Sequence, residues 1–144
     1  MLAANTLLLD THIALWLANG SPSLKPATTI AIDRCWQSGG RLLLSSVVVW
    51  EVAQLVHSGR LTLPFPFETW LRRYSERAGV VCIDVSHRAA AGAYALPDLE
   101  HRDPSDRLLI AQAIEHNCPL VTYDERITRF AQAHGARYGF SVAA

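Results

Sequence analysis

Cysteine is scarce in this 144-residue chain, with Cys35, Cys82 and Cys118 odd in number and without CxxC spacing. That excludes a disulfide framework and a cysteine-ligated zinc site, and reads as buried thiols in a reducing compartment, hence a cytoplasmic protein. Long apolar runs are missing: Leu42–Trp50 stays well short of the ~20 residues a spanning helix needs. No basic residue precedes the first apolar run, so neither a secretory signal nor a membrane partner is expected. Charge of one sign is absent too, because 13 basic residues balance 13 acidic ones and no global field marks a nucleic-acid binder. GxSxG, the P-loop and GxGxxG do not occur, which weakens triad-hydrolase, NTPase and dinucleotide readings. The six histidines lack HxxxH and HExxH spacing, so a histidine-based metal or catalytic site is not expected. Asp10-Thr11-His12 is not the Asp-x-Asp of an aspartyl phosphatase.

What is present is a composition that folds. Half the residues are hydrophobic and 18% are charged. A chain of this size buries roughly 70% of its unfolded surface without staples. With no linker, repeat or low-complexity segment, residues 1–144 read as a single domain. Twelve of the thirteen basic residues are Arg, which suits bidentate phosphate contacts, although a GC-rich genome accounts for it equally well. If four acids shared one metal site, thirteen basic residues would face nine remaining acids, an excess that would matter to a polyanion.

Short apolar segments alternate with helical patterns. Leu7–Leu9, Leu42–Leu44, Val80–Ile83 and Pro119–Val121 read as strands. Helices are expected from Thr11 through Leu17, from after a Gly20–Pro22–Pro26 loop to about Ser38, from a Ser45 or Ser46 cap to near Gly59, and from Glu68 to Arg77. Further helices run from a Ser86 cap to before Pro97, from Pro104 to about His116, and from Asp124 to Ala133, with a final short strand within Arg137–Val142. Uniformly apolar strands alternating with helices imply an α/β fold with a short, mainly parallel sheet covered on both faces. Ligands gather at the carboxyl ends of such strands.

Four acids stand where acids are awkward. Asp10 directly follows three leucines and Asp124 follows Leu120-Val121-Thr122, so each is a helix N-cap or a ligand at a strand end. Glu51 has Val47, Val48 and Leu55 as helical neighbours, where a carboxylate is costly unless paired with an arginine or bound to metal. In Asp103-Pro104-Ser105-Asp106 helix-start chemistry suffices for Asp103, but Asp106 opens the inward stripe continued by Leu109 and Ile110. Four converging carboxylates would repel one another without a cation. All-oxygen ligation suits Mg²⁺ or Mn²⁺, which can activate water and stabilise charge developing on a phosphodiester.

These segments carry a family resemblance. Leu7–His12, Val49–Ala53, His101–Ala113 and Leu120–Asp124 look like the four motifs of PIN-domain proteins and, more narrowly, of the VapC toxins of type II toxin–antitoxin systems. The resemblance covers nearly the whole chain, and the Asp103-Pro-Ser-Asp-Arg-Leu-Leu-Ile-Ala-Gln-Ala block is its most specific part. It implies a Mg²⁺- or Mn²⁺-dependent endoribonuclease on a Rossmann-like three-layer sandwich, leaving 5′-phosphate and 3′-hydroxyl ends. The family's acids match Asp10, Glu51, Asp106 and Asp124; Asp10, Asp106 and Asp124 would hold the metal, and Glu51 would ligate it or orient water. Thr11 and Thr122 match hydroxyls beside those acids, Asp103 is an extra acid that assists or caps, and Arg107 contacts phosphate or braces an acid. A cognate antitoxin protein blocking the site, an RNA substrate and a homodimer are implied as partners. A catalytically silent PIN-like binding or regulatory module would be favoured by a missing acid. A structure-specific DNA nuclease would need insertions for which 144 residues leave no room.

Trp16, Trp36, Trp50 and Trp70 fall in predicted helices and read first as core. Alternatively some line a partner surface, with Phe65–Tyr74 and the helix around Trp50 forming an apolar antitoxin groove. Arg72, Arg73 and Arg77 read as a solvated helix face or an RNA contact.

Overall fold

The computed structural model describes residues 5–143. Its organising strand is β1 (Thr6–Leu9), whose Leu7, Leu8 and Leu9 are all buried. Successive strand residues point to opposite faces, so both faces of the sheet must be covered. Full burial of each leucine contributes about 1.5–3 kcal/mol. The chain continues through α1 (Thr11–Asn19), α2 (Pro26–Gln37), β2 (Arg41–Ser45), α3 (Ser46–His57), α4 (Phe67–Ser75), β3 (Val80–Ile83) and α5 (His87–Gly92). It ends with α6 (Pro104–Glu115), β4 (Leu120–Val121), α7 (Glu125–Tyr138) and β5 (Val142–Ala143). The strands form one parallel sheet in the order β3-β2-β1-β4-β5. This is the expected Rossmann-like three-layer sandwich, with a wholly parallel sheet among the described residues. No helix of the described residues is long and apolar enough to cross a membrane.

The strand order places a topological switch at β1. The chain leaves β1 for β2 on one side and later returns to β4 on the other. Leu8 pairs with Leu120 and Leu9 with Val121, so the next residues, Asp10 and Thr122, emerge side by side at the carboxyl ends. A crevice at such a switch point is where open α/β sheets bind ligands. A buried polar bridge fixes the neighbouring end of β2. Ser45 Oγ donates to Gln112 Oε1 at 2.5 Å, while the Gln112 amide donates to the Asp84 carbonyl at 3.3 Å. The same Ser45 oxygen accepts from the Val47 amide, capping α3 and so setting where Glu51 falls.

Several expectations are corrected. The last helix reaches Tyr138 instead of Ala133, and the closing strand is Val142–Ala143. Gly135 lies within that helix, where the Phe140 carbonyl passes so close that an added Cβ would meet it at 2.4 Å. Gly139, at φ 67, then ends it in the left-handed conformation that glycine adopts most easily. The Ala-rich helix does end before Pro97 as expected, at Gly92. Cys35 and Cys118 are buried as expected, but Cys82 is exposed because β3 is an edge strand. Trp70 is core at 2% exposure, Trp16 and Trp36 are partly buried, and Trp50 lies outside the core at 59%.

Candidate active site

The four acids come to one cleft of about 520 Å³ from four elements of the fold. Asp10 leaves β1, Glu51 lies in α3 after β2, Asp106 sits in the first turn of α6, and Asp124 leaves β4. Asp10, Asp103 and Asp124 also cap α1, α6 and α7, so the capping and site readings coexist. Asp124 Oδ1 accepts from the Arg126 and Ile127 amides at 2.8 and 3.2 Å. Asp103 Oδ1 accepts from Ser105 and Asp106 at 2.9 and 3.3 Å, and Asp103 lines the cleft.

Two threonines, through their hydroxyls and main-chain amides, link the carboxylates of Glu51 and Asp10 and the main chain of Asp124. Thr11 Oγ1 donates to Glu51 Oε1 at 2.6 Å, and the Thr11 amide donates to Asp10 Oδ1 at 2.7 Å. Thr122 Oγ1 donates to Asp10 Oδ2 at 2.6 Å and accepts from the Asp124 amide at 3.1 Å. Thr11 and Thr122 are both buried, so these geometries are held by the fold. His12, Trp16 and Tyr123 form an aromatic wall, with His12–Trp16 and Trp16–Tyr123 ring centroids 5.7 and 5.9 Å apart.

The electrostatics record an unbalanced anionic pocket. Burial pushes the Asp106 carboxyl up to about 6 from 3.8, with the Asp10 and Asp103 charges adding and the His101 hydrogen bond opposing. Burial raises Asp10 and Glu51 as well, against the hydrogen bonds from Thr122 and Thr11. The charge of Asp124 adds at Asp10, and those of Asp10, Asp106 and Asp103 add at Glu51. Asp124 behaves oppositely: burial lifts it, but the Ile127 and Arg126 hydrogen bonds and the Arg126 guanidinium hold it below the usual value. Oxygen donors that resist ionising together suit a hard divalent cation.

His101 joins this cluster, contrary to the expectation that no histidine belongs to a metal or catalytic site. Its side chain is 3% exposed, and Nε2 lies 2.5 Å from Asp106 Oδ2. Single ligand atoms of His101, Asp106 and Asp124 all lie within 4.8 Å of one another. Spacing rules missed it because its partner is five residues ahead across a helix start; its place at the head of the His101–Asp106 motif was the available signal. Among the described residues Arg107 makes no direct bond to an acid. Its Nε, Nη1 and Nη2 donate to the carbonyls of His101, Ala93 and Leu99 at 2.9, 2.9 and 2.7 Å, pinning the loop that carries His101. Groups that orient metal-binding carboxylates typically contribute 10–100-fold in metal affinity. Replacing His101 by Ala is therefore expected to weaken Mn²⁺ binding about 10- to 100-fold in titration calorimetry. An unchanged affinity would show that the His101–Asp106 contact does not organise the site.

A family model described as the PIN domain matches residues 7–133. The chain is 37% identical over 122 residues to ribonuclease VapC22 of Mycobacterium tuberculosis, covering 85% of this chain and 89% of that one. Among solved structures it resembles VapBC2 of Rickettsia felis bound to a promoter DNA fragment, with TM-score 0.65, 18% identity and coverage of 95% of this chain and 96% of that one. A toxin–antitoxin complex from Klebsiella pneumoniae is similar at TM-score 0.59 and 19% identity, covering 96% and 98% of the two chains. FitAcB of Neisseria gonorrhoeae is similar at 0.58 and 17%, covering 96% of each. By sequence over most of its length, and by the architecture that carries its acids, this chain belongs to the PIN-domain family.

Proposed function

We propose that the chain is a divalent-metal-dependent endoribonuclease, using Mg²⁺ or Mn²⁺, and the toxin of a toxin–antitoxin pair. Residues 1–144 form one PIN-like nuclease domain acting in the cytoplasm as a homodimer, with a cognate antitoxin protein as its inhibitor. The observation that carries this reading is the carboxylate set at the switch point, three of its members joined through Thr11 and Thr122. The relative named as a ribonuclease supports the activity, and the named toxin–antitoxin neighbours support the partner. A complete acid set disfavours a silent binding module.

Asp10, Asp106, Asp124 and Glu51 would hold the cation, directly or through water. When bound, a divalent cation supplies a Lewis acid for the phosphodiester oxygens and a lowered pKa for water. Thr11 and Thr122 keep the Asp10 carboxylate in a single orientation, and His101 does the same for Asp106. Glu51, whose proton affinity is raised by burial and by its acid neighbours, is placed to accept the proton of the attacking water.

The test is incubation of the purified full chain with single-stranded RNA and Mg²⁺ or Mn²⁺, with and without EDTA. Cleavage leaving 5′-phosphate ends is expected with metal, and none in EDTA. Equal cleavage under both conditions would overturn the metal dependence, and preferential cutting of flapped DNA would overturn the RNA assignment.

A further inference from the structure

We propose that a second cleft, beside the acids and unassigned so far, is the subsite for the RNA backbone flanking the cut phosphodiester; this rests on the ribonuclease reading above. The cleft measures about 600 Å³ and lies between α7 and the Asp98–Arg102 loop. Arg126 lines both clefts, and His101 lines the second while bonding Asp106 of the first. A strand whose phosphate reaches the acids therefore has this cleft as its immediate continuation.

The chemistry of the walls is that of a polyanion site. Arg126, Arg129, Phe130, Ala133 and His134 recur at spacings of three and four, one stripe of α7, with Phe130 buried beneath. Arg102 faces them from the loop. Arg102, Arg126 and Arg129 are exposed, and among the described residues Arg102 and Arg129 make no ion pair. Of the two acids lining the cleft, Asp98 is engaged by Arg137 Nη1 at 2.8 Å and by Tyr138 Oη at 2.7 Å. That leaves Glu100 against the unpaired Arg102 and Arg129, while Arg126, 3.4 Å from Asp124, joins the two clefts. From Arg126 to His134 the stripe runs about 12 Å along the helix, room for more than one backbone phosphate. The arginines of α4 are a poorer choice. Arg73 lies over Phe65 and Arg77 over Trp36, each at 4.6 Å, and the cleft they line shares no residue with the acid cleft.

The need for such a subsite follows from the acids themselves. Several carboxylates around the reaction point repel RNA, and guanidiniums alongside offset that repulsion.

The experiment measures binding of fluorescent oligouridylates of increasing length to the metal-free full chain in EDTA, by anisotropy over a range of salt. Wild type should bind longer oligonucleotides more tightly. In R102A/R129A the gain with length should shrink about 10- to 100-fold, and the slope of log K against log salt should flatten by about 1.4, near 0.7 per lost contact. R102K/R129K, with unchanged circular dichroism, should recover most of that slope. An unchanged length dependence and slope in the alanine variant would overturn the proposal. So would an oligoglutamate of equal charge that binds the wild type more tightly than RNA and loses as much affinity in the variant, because the cleft would then be built for an acidic peptide. Binding that behaves as expected in a protein that cuts no RNA with metal would uphold the cleft and refute the nuclease reading.

Discussion

Replacing Asp106 by Asn is expected to lower metal-dependent RNA cleavage on the order of 10³-fold or more while making the metal-free protein more stable. Both effects come from one cause. Asp106 is held where burial and the charges of Asp10 and Asp103 push its pKa up to about 6, so at neutral pH the fold carries an ion it disfavours. A displacement from 3.8 to about 6 corresponds to at most ~3 kcal/mol. The side chain keeps 13% exposure, and solvent screening brings the expected gain to about 1–2 kcal/mol. In a domain of this size that is several degrees in Tm. The amide is nearly isosteric and retains a hydrogen bond to His101 Nε2 in either histidine tautomer, so the gain is not cancelled by a lost contact. The amide is a poor ligand for a hard cation, and activity falls. Thermal unfolding in EDTA and RNA cleavage with Mn²⁺ check the two halves. Cleavage near the wild-type rate would remove Asp106 from the metal site, and a lower Tm in EDTA would show that its charge is not a burden.

The metal-free wild type should lose stability as pH rises from about 4 to 7, and saturating Mn²⁺ should abolish that loss. In the folded protein Asp106 keeps its proton to about 6, whereas in the unfolded chain it releases it near 3.8. Between those values the native state binds more protons, so unfolding becomes easier as pH rises through the window. Asp10 and Glu51, also raised, act in the same direction. Asp124 and Asp98, both lowered, have the opposite sign and matter only as pH falls below the ordinary carboxylate value. A cation bound only by the native state adds about 2.7 kcal/mol at a hundred times its dissociation constant, and by holding the native carboxylates ionised it removes the proton excess that gives the slope. Calorimetric scans at several pH values, with EDTA and with Mn²⁺, read this directly. A flat profile in EDTA would mean that the carboxylates do not interact as their placement requires.

The acids were legible in the sequence for local reasons. Asp10 and Asp124 each follow an apolar strand at a helix start, and Glu51 stands among valines that the fold indeed buries. Their assembly was not legible. The Thr122–Asp10 hydrogen bond joins residues 112 positions apart, and it exists because parallel register sets the ends of β1 and β4 level. His101 escaped notice for a related reason: its burial against Asp106 depends on the path of a loop pinned by three Arg107 hydrogen bonds. Trp50 and Cys82 fit a core by composition, yet the helix face and sheet edge that carry them leave both exposed.

By itself the sequence determined what short-range physics controls: alternating strands and helices, serine and aspartate caps, and which carboxylates are too costly to be idle. Only the tertiary structure decided which of those carboxylates share one cleft, which histidine stands among them, and which arginines line the cleft alongside. Such groupings are set by strand order and register, which bring together side chains that no local pattern relates.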